Sequence, residues 1–351
     1  MSDFSARSRS AFAVDAGLQR ARLAARAAWF GAAGLSAKAL TRPLEGETPK
    51  VRSDAPPPSS AGLRRSLLEA FAKDARDVAA GLYPPAQDPP FDPAGAVSRL
   101  VDLLSDAREV DARRRRRGGV EAREEAGSPA YPTYYRQNFH YQSGGWFTDE
   151  SARRYEGQVE TLFAGAAGPM RRRALALLAR AWRGRDQRGL RVLDLACGSG
   201  AFLGDLNATF PRAGVSGVDL SAAYLTEARR RSGVRALAQA AAERLPFADA
   251  SLDAVTCVFL FHELPPRVRP RVAAEIARVL KPDGVLVLAD SVQREDEPEL
   301  TRMLEAFPAF FHEPYYGSYL ETDFPALFAD AGLRLRDSDK AFLTKAMLFE
   351  R

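Results

Sequence analysis

The sequence predicts an α/β protein with a doubly wound, mostly parallel sheet that follows a helical N-terminal extension. From Gly189 onward, short runs of Val, Leu and Ile alternate with segments of helical periodicity. These apolar runs are continuous, which is typical of parallel strands covered by helices on both faces. The last two runs, 333–339 and 341–351, are too close for a helical crossover. We therefore expect them to form an antiparallel hairpin that closes the sheet.

Five strand-like runs precede this hairpin. They read LRVLDLA (190–196), GVSGVDL (214–220), VRALAQ (234–239), LDAVTCVFLF (252–261) and GVLVLADS (284–291), the last after a KPDG turn. Helical segments follow the first, second and fourth runs. In a Rossmann-like sheet of this kind, ligands bind at the carboxyl ends of the strands. We therefore expect the functional site in the residues that follow these runs.

The chain divides into three predicted parts. Residues 1–125 form a helical extension with Pro-rich linkers, including APPPSS at 55–60, and its segments 62–82 and 91–114 should be paired helices. Residues 126–188 form an aromatic cap segment with amphipathic helices. Residues 189–351 form the sheet domain that would bind a cofactor.

Composition limits the class of protein. Of 351 residues, 46% are hydrophobic and 27% charged, and the uncharged apolar stretch 27–37 is far shorter than the roughly 20 residues of a membrane span. The two cysteines, Cys197 and Cys257, have no metal-ligand spacing. We expect a soluble, cytoplasmic protein, although the Arg- and Ala-rich first 42 residues also resemble an organelle transit peptide.

The net charge is +5 and the isoelectric point about 9.3, which raises the question of nucleic-acid binding. The run Arg113–Arg117 follows a helical segment and has no aromatic residues interleaved with it, so it does not predict stacking on single-stranded bases. A solvated helix end is the more common role for such a run. Nucleic acid is therefore an unlikely partner, and the sequence predicts no oligomeric state.

A glycine loop follows the first strand, in VLDLACGSG at 192–200. Gly198 and Gly200 allow a tight turn and a close approach of the backbone to a ligand. Asp194 can order this loop or accept a ligand hydrogen bond, and Asp219, which ends the second strand, is placed for the two hydroxyls of a ribose. The third glycine of a dinucleotide fingerprint is absent, because Ala201 and two larger residues follow, which counts against a pyrophosphate site.

Five segments together resemble the class I S-adenosylmethionine-dependent methyltransferases. They are DLACGSG, GVDLS, AERLPF, LDAVTC and LKPDGVLVLADS. The resemblance covers residues 189–291, and the closing hairpin more loosely. Within this family, the chain is similar to the small-molecule group that includes the ubiquinone and menaquinone methyltransferases, and to uncharacterised bacterial members. It implies S-adenosylmethionine as the cofactor.

The resemblance also implies roles for individual residues. Asp194, Ala196, Gly198 and Gly200 would contact the methionine part of the cofactor, Asp219 and Leu220 the ribose and adenine, and Phe259 the apolar side of the methionine arm. Many members carry an Asp-Ala pair before the E-x-L-P-F motif, but this chain has alanine in place of that aspartate. We expect the backbone of Ala242 or the side chain of Glu243 to substitute at the adenine.

Each of the three histidines follows a phenylalanine: His140, His262 and His312. His262 and Glu263 come directly after the fourth strand, where the cofactor methyl group would lie. We predict His262, with His140 and Tyr135, as candidate catalytic residues; the alternative is a structural or cofactor-contacting role for His262. No H-E-x-x-H or other metal-ligand spacing occurs, so we expect no metal site.

Two aromatic segments, 128–147 and 307–319, flank the predicted sheet motifs. In the family that the chain resembles, segments at these places cover the cofactor and shape the acceptor pocket. We therefore predict substrate contacts by Trp146, His312, Tyr315 and Tyr316. Packing at a domain junction is the alternative.

The sequence thus predicts methyl transfer from S-adenosylmethionine to the O, C or N atom of a small, aromatic or lipophilic acceptor. One alternative is an RNA or protein methyltransferase that uses the basic extension to hold its substrate. A second alternative is a module that binds S-adenosylmethionine without turnover.

Overall fold

A computed structural model describes residues 21, 24–36, 51, 53–86, 109–116, 118–126 and 131–351. Within this part of the chain, a single sheet contains seven strands. They are β1 (Arg191–Leu195), β2 (Gly214–Asp219), β3 (Leu237–Gln239), β4 (Leu252–Val258), β5 (Leu280–Ser291), β6 (Arg334–Ala341) and β7 (Thr344–Glu350). Their order is β3-β2-β1-β4-β5-β7-β6.

The strand pairing confirms the predicted fold class. β3, β2, β1, β4 and β5 pair in parallel, whereas β7 is antiparallel to both β5 and β6. The strand order reverses between β1 and β4. In open α/β sheets, a crevice for ligands forms outside the carboxyl ends of the strands at such a reversal.

Eight helices of at least seven residues have both ends inside the described ranges and surround this sheet. They are α1 (Ser60–Ala79), α2 (Asp149–Leu162), α3 (Ala167–Ala181), α4 (Ala201–Thr209), α5 (Ala222–Ser232), α6 (Arg269–Val279), α7 (Thr301–Phe310) and α8 (Phe324–Asp330). Residues 24–36 and 109–115 are also helical. Short helical turns lie at Ala122–Glu125, Phe139–Tyr141, Phe261–Glu263, Pro298–Leu300 and Tyr316–Tyr319.

The sheet is covered on both faces, which explains its continuous apolar runs. Val192 belongs to the core cluster that includes α3 and α4, while its neighbour Leu193 belongs to the cluster that includes α6 and α8. Val287 and Leu288 divide between the same two clusters. Because successive side chains of a strand point to opposite faces, both faces of this sheet require apolar residues.

Helix α3 is buried on nearly all sides, although we predicted amphipathic helices in this region. It contains Arg171, Arg172 and Arg173, which are all buried. The charges of Arg172 and Arg173 are paired with Asp74 and Asp77 of α1. Helix α1 of the N-terminal extension therefore covers a face of α3 that the sequence pattern assigns to solvent.

Several strand boundaries differ from the predicted ones, and three of them show why. β4 ends at Val258 and not at Phe261, because Phe259 has a φ of 57° that turns the backbone out of the sheet. β5 begins at Leu280, and the KPDG segment forms an irregularity in the β4–β5 pairing where a turn was expected. β3 is limited to Leu237–Gln239.

Some predictions concern residues outside the described part of the chain. The second helix of the extension falls mostly on residues 87–108, so its pairing with α1 stays a prediction, as does the division into three parts. Most of the first 42 residues also lie outside it. Among the described residues, no helix has the length and apolarity to cross a bilayer.

Candidate active site

A cavity opens at the carboxyl ends of β1, β2 and β4, at the reversal of strand order. Its wall combines the glycine loop, acidic side chains and a group of aromatic rings. Among its lining residues are Tyr134, Tyr135, Phe139, Trp146, Tyr155, Glu156, Arg171, Asp194, Ala196, Gly198, Ser199, Asp219, Leu220, Ser221, Tyr224, Ala242, Phe259, Leu260 and Glu263.

Gly198 and Gly200 have different structural roles in the glycine loop. Gly198 has a φ of 53°, and a Cβ atom there would meet no atom within 4 Å. Its N–H group donates to Oδ2 of Asp219 at 2.8 Å. Gly200 has a φ of 81°, and a Cβ atom there would lie 2.7 Å from Cα of Ala228. Gly198 therefore leaves the cavity open. Gly200 instead lets α4 pack closely on α5, and it is not among the described residues that line the cavity.

Asp194 presents a carboxylate oxygen that has no partner. Its Oδ1 accepts a hydrogen bond from Oγ1 of Thr256 at 2.9 Å, while Oδ2 is buried and makes no hydrogen bond to any described residue. Burial raises the pKa of Asp194 to about 7. A buried polar atom at a cavity wall is usually satisfied by a ligand or water. Asp194 is therefore suited to a cationic group of a bound molecule.

The Asp219 carboxylate is held in place by the backbone. Its Oδ1 accepts from the N–H group of Ser221 at 2.8 Å, in addition to the Gly198 contact at Oδ2. Burial raises the pKa of Asp219. Each carboxylate oxygen retains a further lone pair. The group can therefore still accept hydrogen bonds from ligand hydroxyls.

Leu220 and Ala242 also line the cavity, and their contact with a cofactor stays a prediction. Glu243 lies behind this wall, where its Oε1 accepts a hydrogen bond from the hydroxyl of Tyr134 at 2.9 Å. Tyr134 itself lines the cavity. The aromatic segment therefore binds the acidic residue that we predicted at the adenine, and Tyr134 was missed because nothing in its spacing sets it apart from the other tyrosines.

The first aromatic segment forms one side of the cavity. Tyr135 and Trp146 line it, and Trp146 packs edge-on against Tyr155 and Tyr224 with ring centroids 5.4 and 5.2 Å apart. The backbone carbonyl of Trp146 accepts a hydrogen bond from Oγ of Ser221, next to the Asp219 loop. The segment is thus fixed beside the second strand.

Two charged residues at the cavity were missed by sequence reasoning. Nη2 of Arg171 lies 2.8 Å from Oε2 of Glu156, and Oγ of Ser199 donates to Oε1 of Glu156 at 2.7 Å. Both charged residues come from helices that precede the sheet in the chain. Helical spacing alone does not reveal that these side chains reach the glycine loop.

His262 lies behind the cavity wall formed by Phe259 and Glu263. Its Nδ1 is 2.6 Å from Oδ1 of Asp290, and the residue is 7% exposed. Burial alone would lower the pKa of His262, but the carboxylate of Asp290 raises it to about 10. In this arrangement the imidazole holds its proton at neutral pH and is not poised to accept one.

His140 lies close to His262, and both lie near Glu313. Nδ1 of His140 is 3.2 Å from Oε1 of Glu313, and burial lowers the pKa of His140 to about 3. The carbonyl of His312 accepts a hydrogen bond from the N–H group of His140 at 3.3 Å, but the His312 imidazole is outside this group, with its Nε2 2.9 Å from Oε1 of Gln137. The structure thus brings together two of the three histidines that we predicted to share a site.

Tyr315 and Tyr316 also lie behind the described cavity wall. The Tyr315 hydroxyl is near the Gln137 side chain at 3.4 Å, and the Tyr316 hydroxyl is 2.6 Å from Oγ of Ser291. Tyr316 also packs edge-on against His262, with ring centroids 6.1 Å apart. Substrate contacts by these tyrosines and by His312 stay a prediction.

Comparison with protein families matches residues 192–284 to a family described as a methyltransferase domain. A fatty-acid O-methyltransferase of Mycolicibacterium smegmatis is 38% identical over 125 residues, which cover 35% of this chain and 45% of that protein. A demethylmenaquinone methyltransferase of Beutenbergia cavernae is 35% identical over 174 residues, 50% of this chain and 63% of that protein. The chain therefore spans less than two thirds of either relative.

Solved structures are similar over about half of the chain. A SAM-dependent methyltransferase from Aquifex aeolicus aligns with 20% identity and a TM-score of 0.37, covering 49% of this chain and 87% of that one. Magnesium protoporphyrin IX methyltransferase from Synechocystis with bound SAH aligns with 18% identity and a TM-score of 0.42, covering 53% and 84%.

Residues 192–284 match a methyltransferase domain, and the sheet order and the cavity at its reversal agree with a domain of the class I S-adenosylmethionine-dependent methyltransferases.

Proposed function

We propose that this protein transfers a methyl group from S-adenosylmethionine to a small, lipophilic or aromatic acceptor. One observation is the main support: the partnerless Oδ2 of Asp194 and the carboxylate of Asp219 border one cavity that aromatic rings also line. A cofactor with an ammonium group at one end and a ribose in its middle needs two acidic groups in such an arrangement.

The residues of the cavity fit S-adenosylmethionine. Asp194 would bind the ammonium of its methionine part, and Asp219 would accept hydrogen bonds from its ribose hydroxyls. Gly198 leaves space for close contact with the backbone, and Leu220 and Ala242 would flank the adenine. When bound, the cofactor supplies an electrophilic methyl group.

For methyl transfer, the main contribution of the protein is alignment and exclusion of water. An in-line displacement depends on holding the donor and acceptor in contact with the correct orientation. The rings of Tyr135, Trp146 and Phe259 in the cavity wall would shield the reacting centre from solvent. The catalytic roles of Tyr135, His140 and His262 stay predictions.

The ion pairs made by the arginines of the run Arg113–Arg117 favour a small-molecule acceptor over a nucleic acid. Arg114 and Arg115 pair with Asp111, and Arg113 and Arg116 pair with Glu121. These members of the run are therefore partly neutralised within the chain. The names of the curated relatives, which include fatty-acid and demethylmenaquinone methyltransferases, also favour lipophilic acceptors. A cytoplasmic location is part of this proposal.

The test is the formation of S-adenosylhomocysteine with defined acceptors. The full chain is incubated with S-adenosylmethionine and, separately, with a long-chain fatty acid, a reduced naphthoquinone or a structured RNA. We expect product with at least one lipophilic acceptor and none with RNA. Asp219→Ala should abolish turnover, whereas Asp186→Ala, which removes an exposed partner of Arg188, should not. Turnover with RNA alone, or the same rate in Asp219→Ala, would refute the proposal.

A further inference from the structure

We propose that His140, His262 and Glu313 form a binding site for a divalent first-row transition-metal ion. The three residues come from separate segments: the turn Phe139–Tyr141, the turn Phe261–Glu263 and the loop between α7 and the turn Tyr316–Tyr319. Each offers one ligand atom, and these atoms lie within 4.8 Å of one another. This inference is independent of the proposed methyl transfer.

The spacing of the ligand atoms suits such an ion. Nitrogen and carboxylate ligands lie about 2.0–2.2 Å from a first-row divalent metal, which places neighbouring ligands roughly 3–3.6 Å apart. Nδ1 of His140 and Oε1 of Glu313 are already 3.2 Å apart. The widest separation between ligand atoms, which is at most 4.8 Å, would need to shorten by roughly 1.2–1.8 Å. Two histidines and one carboxylate also match a donor set that first-row metals use, with coordination positions left open.

The burial of Glu313 without hydrogen bonds indicates that its carboxyl group binds a ligand. The residue is 2% exposed, and neither of its carboxylate oxygens makes a hydrogen bond to any described residue. A buried carboxyl group without a hydrogen bond is costly, because it loses its hydration, and the contact with the His140 imidazole at 3.2 Å compensates only part of that loss. A metal ion at this position would satisfy it.

Asp290 orients His262 for metal binding. Its Oδ1 lies 2.6 Å from Nδ1 of His262 and holds a proton on that nitrogen. A metal ion would therefore displace the proton of Nε2 and bind there. Carboxylates that bind the second nitrogen of a metal-ligating histidine commonly fix the tautomer and ring in this way. Oε1 of Glu263 lies 4.0 Å from Nε2 and is a further potential ligand.

The backbone at His140 is held in an unusual conformation. His140 and Tyr141 have φ values of 55° and 54°, a region that non-glycine residues seldom occupy. Such conformations persist where the surrounding structure requires them, often at ligand sites. The rings of Trp146, Phe307 and Phe311 pack edge-on against the His140 imidazole and keep it directed at Glu313.

The charges around the cluster favour a cation. Asp290, Glu263 and Glu313 all act electrostatically on His262. The nearby guanidinium of Arg269 donates to the carbonyl oxygens of Phe261 and Tyr315, so the three carboxyl groups remain available to a cation. The site adjoins the cavity, because His140 packs on Trp146 and His262 on Phe259, and both rings line the cavity.

The test is direct metal binding by the full chain after chelator treatment. Calorimetric titration with Zn²⁺ alone should show one ion per chain, and Co²⁺ alone should give visible absorption bands of a bound ion. Glu313→Gln, which keeps the size of the side chain, and His262→Ala should each weaken Zn²⁺ binding by at least about tenfold. Asp290→Asn should weaken it by about 10–100-fold, as for other groups that orient a ligand.

His312→Ala is the matched control, because it removes the histidine that lies outside the cluster and should leave Zn²⁺ affinity unchanged. Binding of S-adenosylmethionine is measured on the same samples, so that a failure of the cofactor site is distinguished from a failure of the metal site. An absence of saturable Zn²⁺ and Co²⁺ binding in the unaltered chain would overturn the proposal. Equal Zn²⁺ affinity in Glu313→Gln and the unaltered chain would do so as well.

Discussion

Arg172 of α3 donates two hydrogen bonds to Asp74 of α1, from Nε to Oδ1 at 2.6 Å and from Nη2 to Oδ2 at 2.9 Å. Both side chains are buried, at 4% and 0% exposure. Replacing Asp74 by Ala would leave the buried guanidinium, among the described residues, with the longer contact to Asp205 at 3.3 Å, and would also remove an acceptor of the Tyr83 hydroxyl. We expect the free energy of unfolding in urea to fall by about 3–5 kcal/mol, the usual result of breaking a buried ion pair.

Glu69→Ala on the same helix is the control for this change. Glu69 pairs with Arg76 at the surface, where both side chains are 58% exposed. Exposed pairs contribute about 1 kcal/mol or less. Similar losses for Asp74→Ala and Glu69→Ala would show that α1 is not anchored to the sheet domain through Arg172.

The affinity for S-adenosylmethionine should depend on the ionisation of Asp194. Because burial raises the pKa of Asp194 to about 7, the group is largely protonated near pH 5.5 and increasingly charged near pH 7. Only the charged form attracts an ammonium group. Calorimetric titrations should therefore show tighter binding as pH rises over this range, and Asp194→Asn should bind more weakly and lose this dependence. Retention of the same pH dependence in Asp194→Asn would contradict the assignment.

Asp194 should also reduce the stability of the ligand-free protein at higher pH. Its folded-state pKa lies above the usual value for aspartate, so the folded state binds this proton more tightly than the unfolded state does. The contribution of this group to the unfolding free energy is therefore lost as pH rises from about 4 to 7. We expect Asp194→Asn to melt at a higher temperature than the unaltered chain at pH 8 without ligand. A lower melting temperature would argue against a buried, partnerless carboxylate.

Trp146 should report cofactor binding by its fluorescence. The chain has three tryptophans, and Trp146 lines the cavity, whereas Trp182 packs on Phe210 with ring centroids 5.0 Å apart. We expect S-adenosylmethionine to change the intrinsic emission of the unaltered chain and of Trp182→Phe, but not that of Trp146→Phe. A change of equal size in Trp146→Phe would place the cofactor away from this ring.

The sequence predicts those features of the site that depend on local motifs. Gly198 and Asp219 lie in short segments whose spacing reflects the geometry of a strand, a turn and a helix, and both line the cavity. The burial of Arg172 could not be predicted in this way, because the charge that permits it, on Asp74, lies in another part of the chain. Periodicity treats such an arginine as part of a solvated face.

The cluster of His140, His262 and Glu313 also could not be predicted from local motifs. No spacing between these residues resembles a metal motif, and their approach depends on how the loop after α7 returns to the carboxyl end of β4. The sequence signal was the position of His262 after a strand. The turn at Phe259, with its positive φ, then carries His262 behind the cavity wall, whereas a continued strand would have placed it at the rim.

Gly198→Val is the sharpest change for the cofactor site, because its side chain would enter the open space of the cavity. Gly189→Val is a matched control: Gly189 also has a positive φ, of 84°, and open space at its Cβ position, but it precedes β1 and lies outside the cavity wall. Both variants carry similar backbone strain. A loss of binding confined to Gly198→Val is therefore attributable to the cavity.

The most direct test of the cofactor site is a calorimetric titration of S-adenosylmethionine into the unaltered chain, Gly198→Val, Asp219→Ala and Gly189→Val. We predict one binding site per chain and a loss of affinity of at least about tenfold, or roughly 1.4 kcal/mol, in Gly198→Val and Asp219→Ala. Gly189→Val should bind as the unaltered chain does. The opposite result, in which Gly198→Val and Asp219→Ala both retain full affinity, would contradict the assignment of this cavity to S-adenosylmethionine.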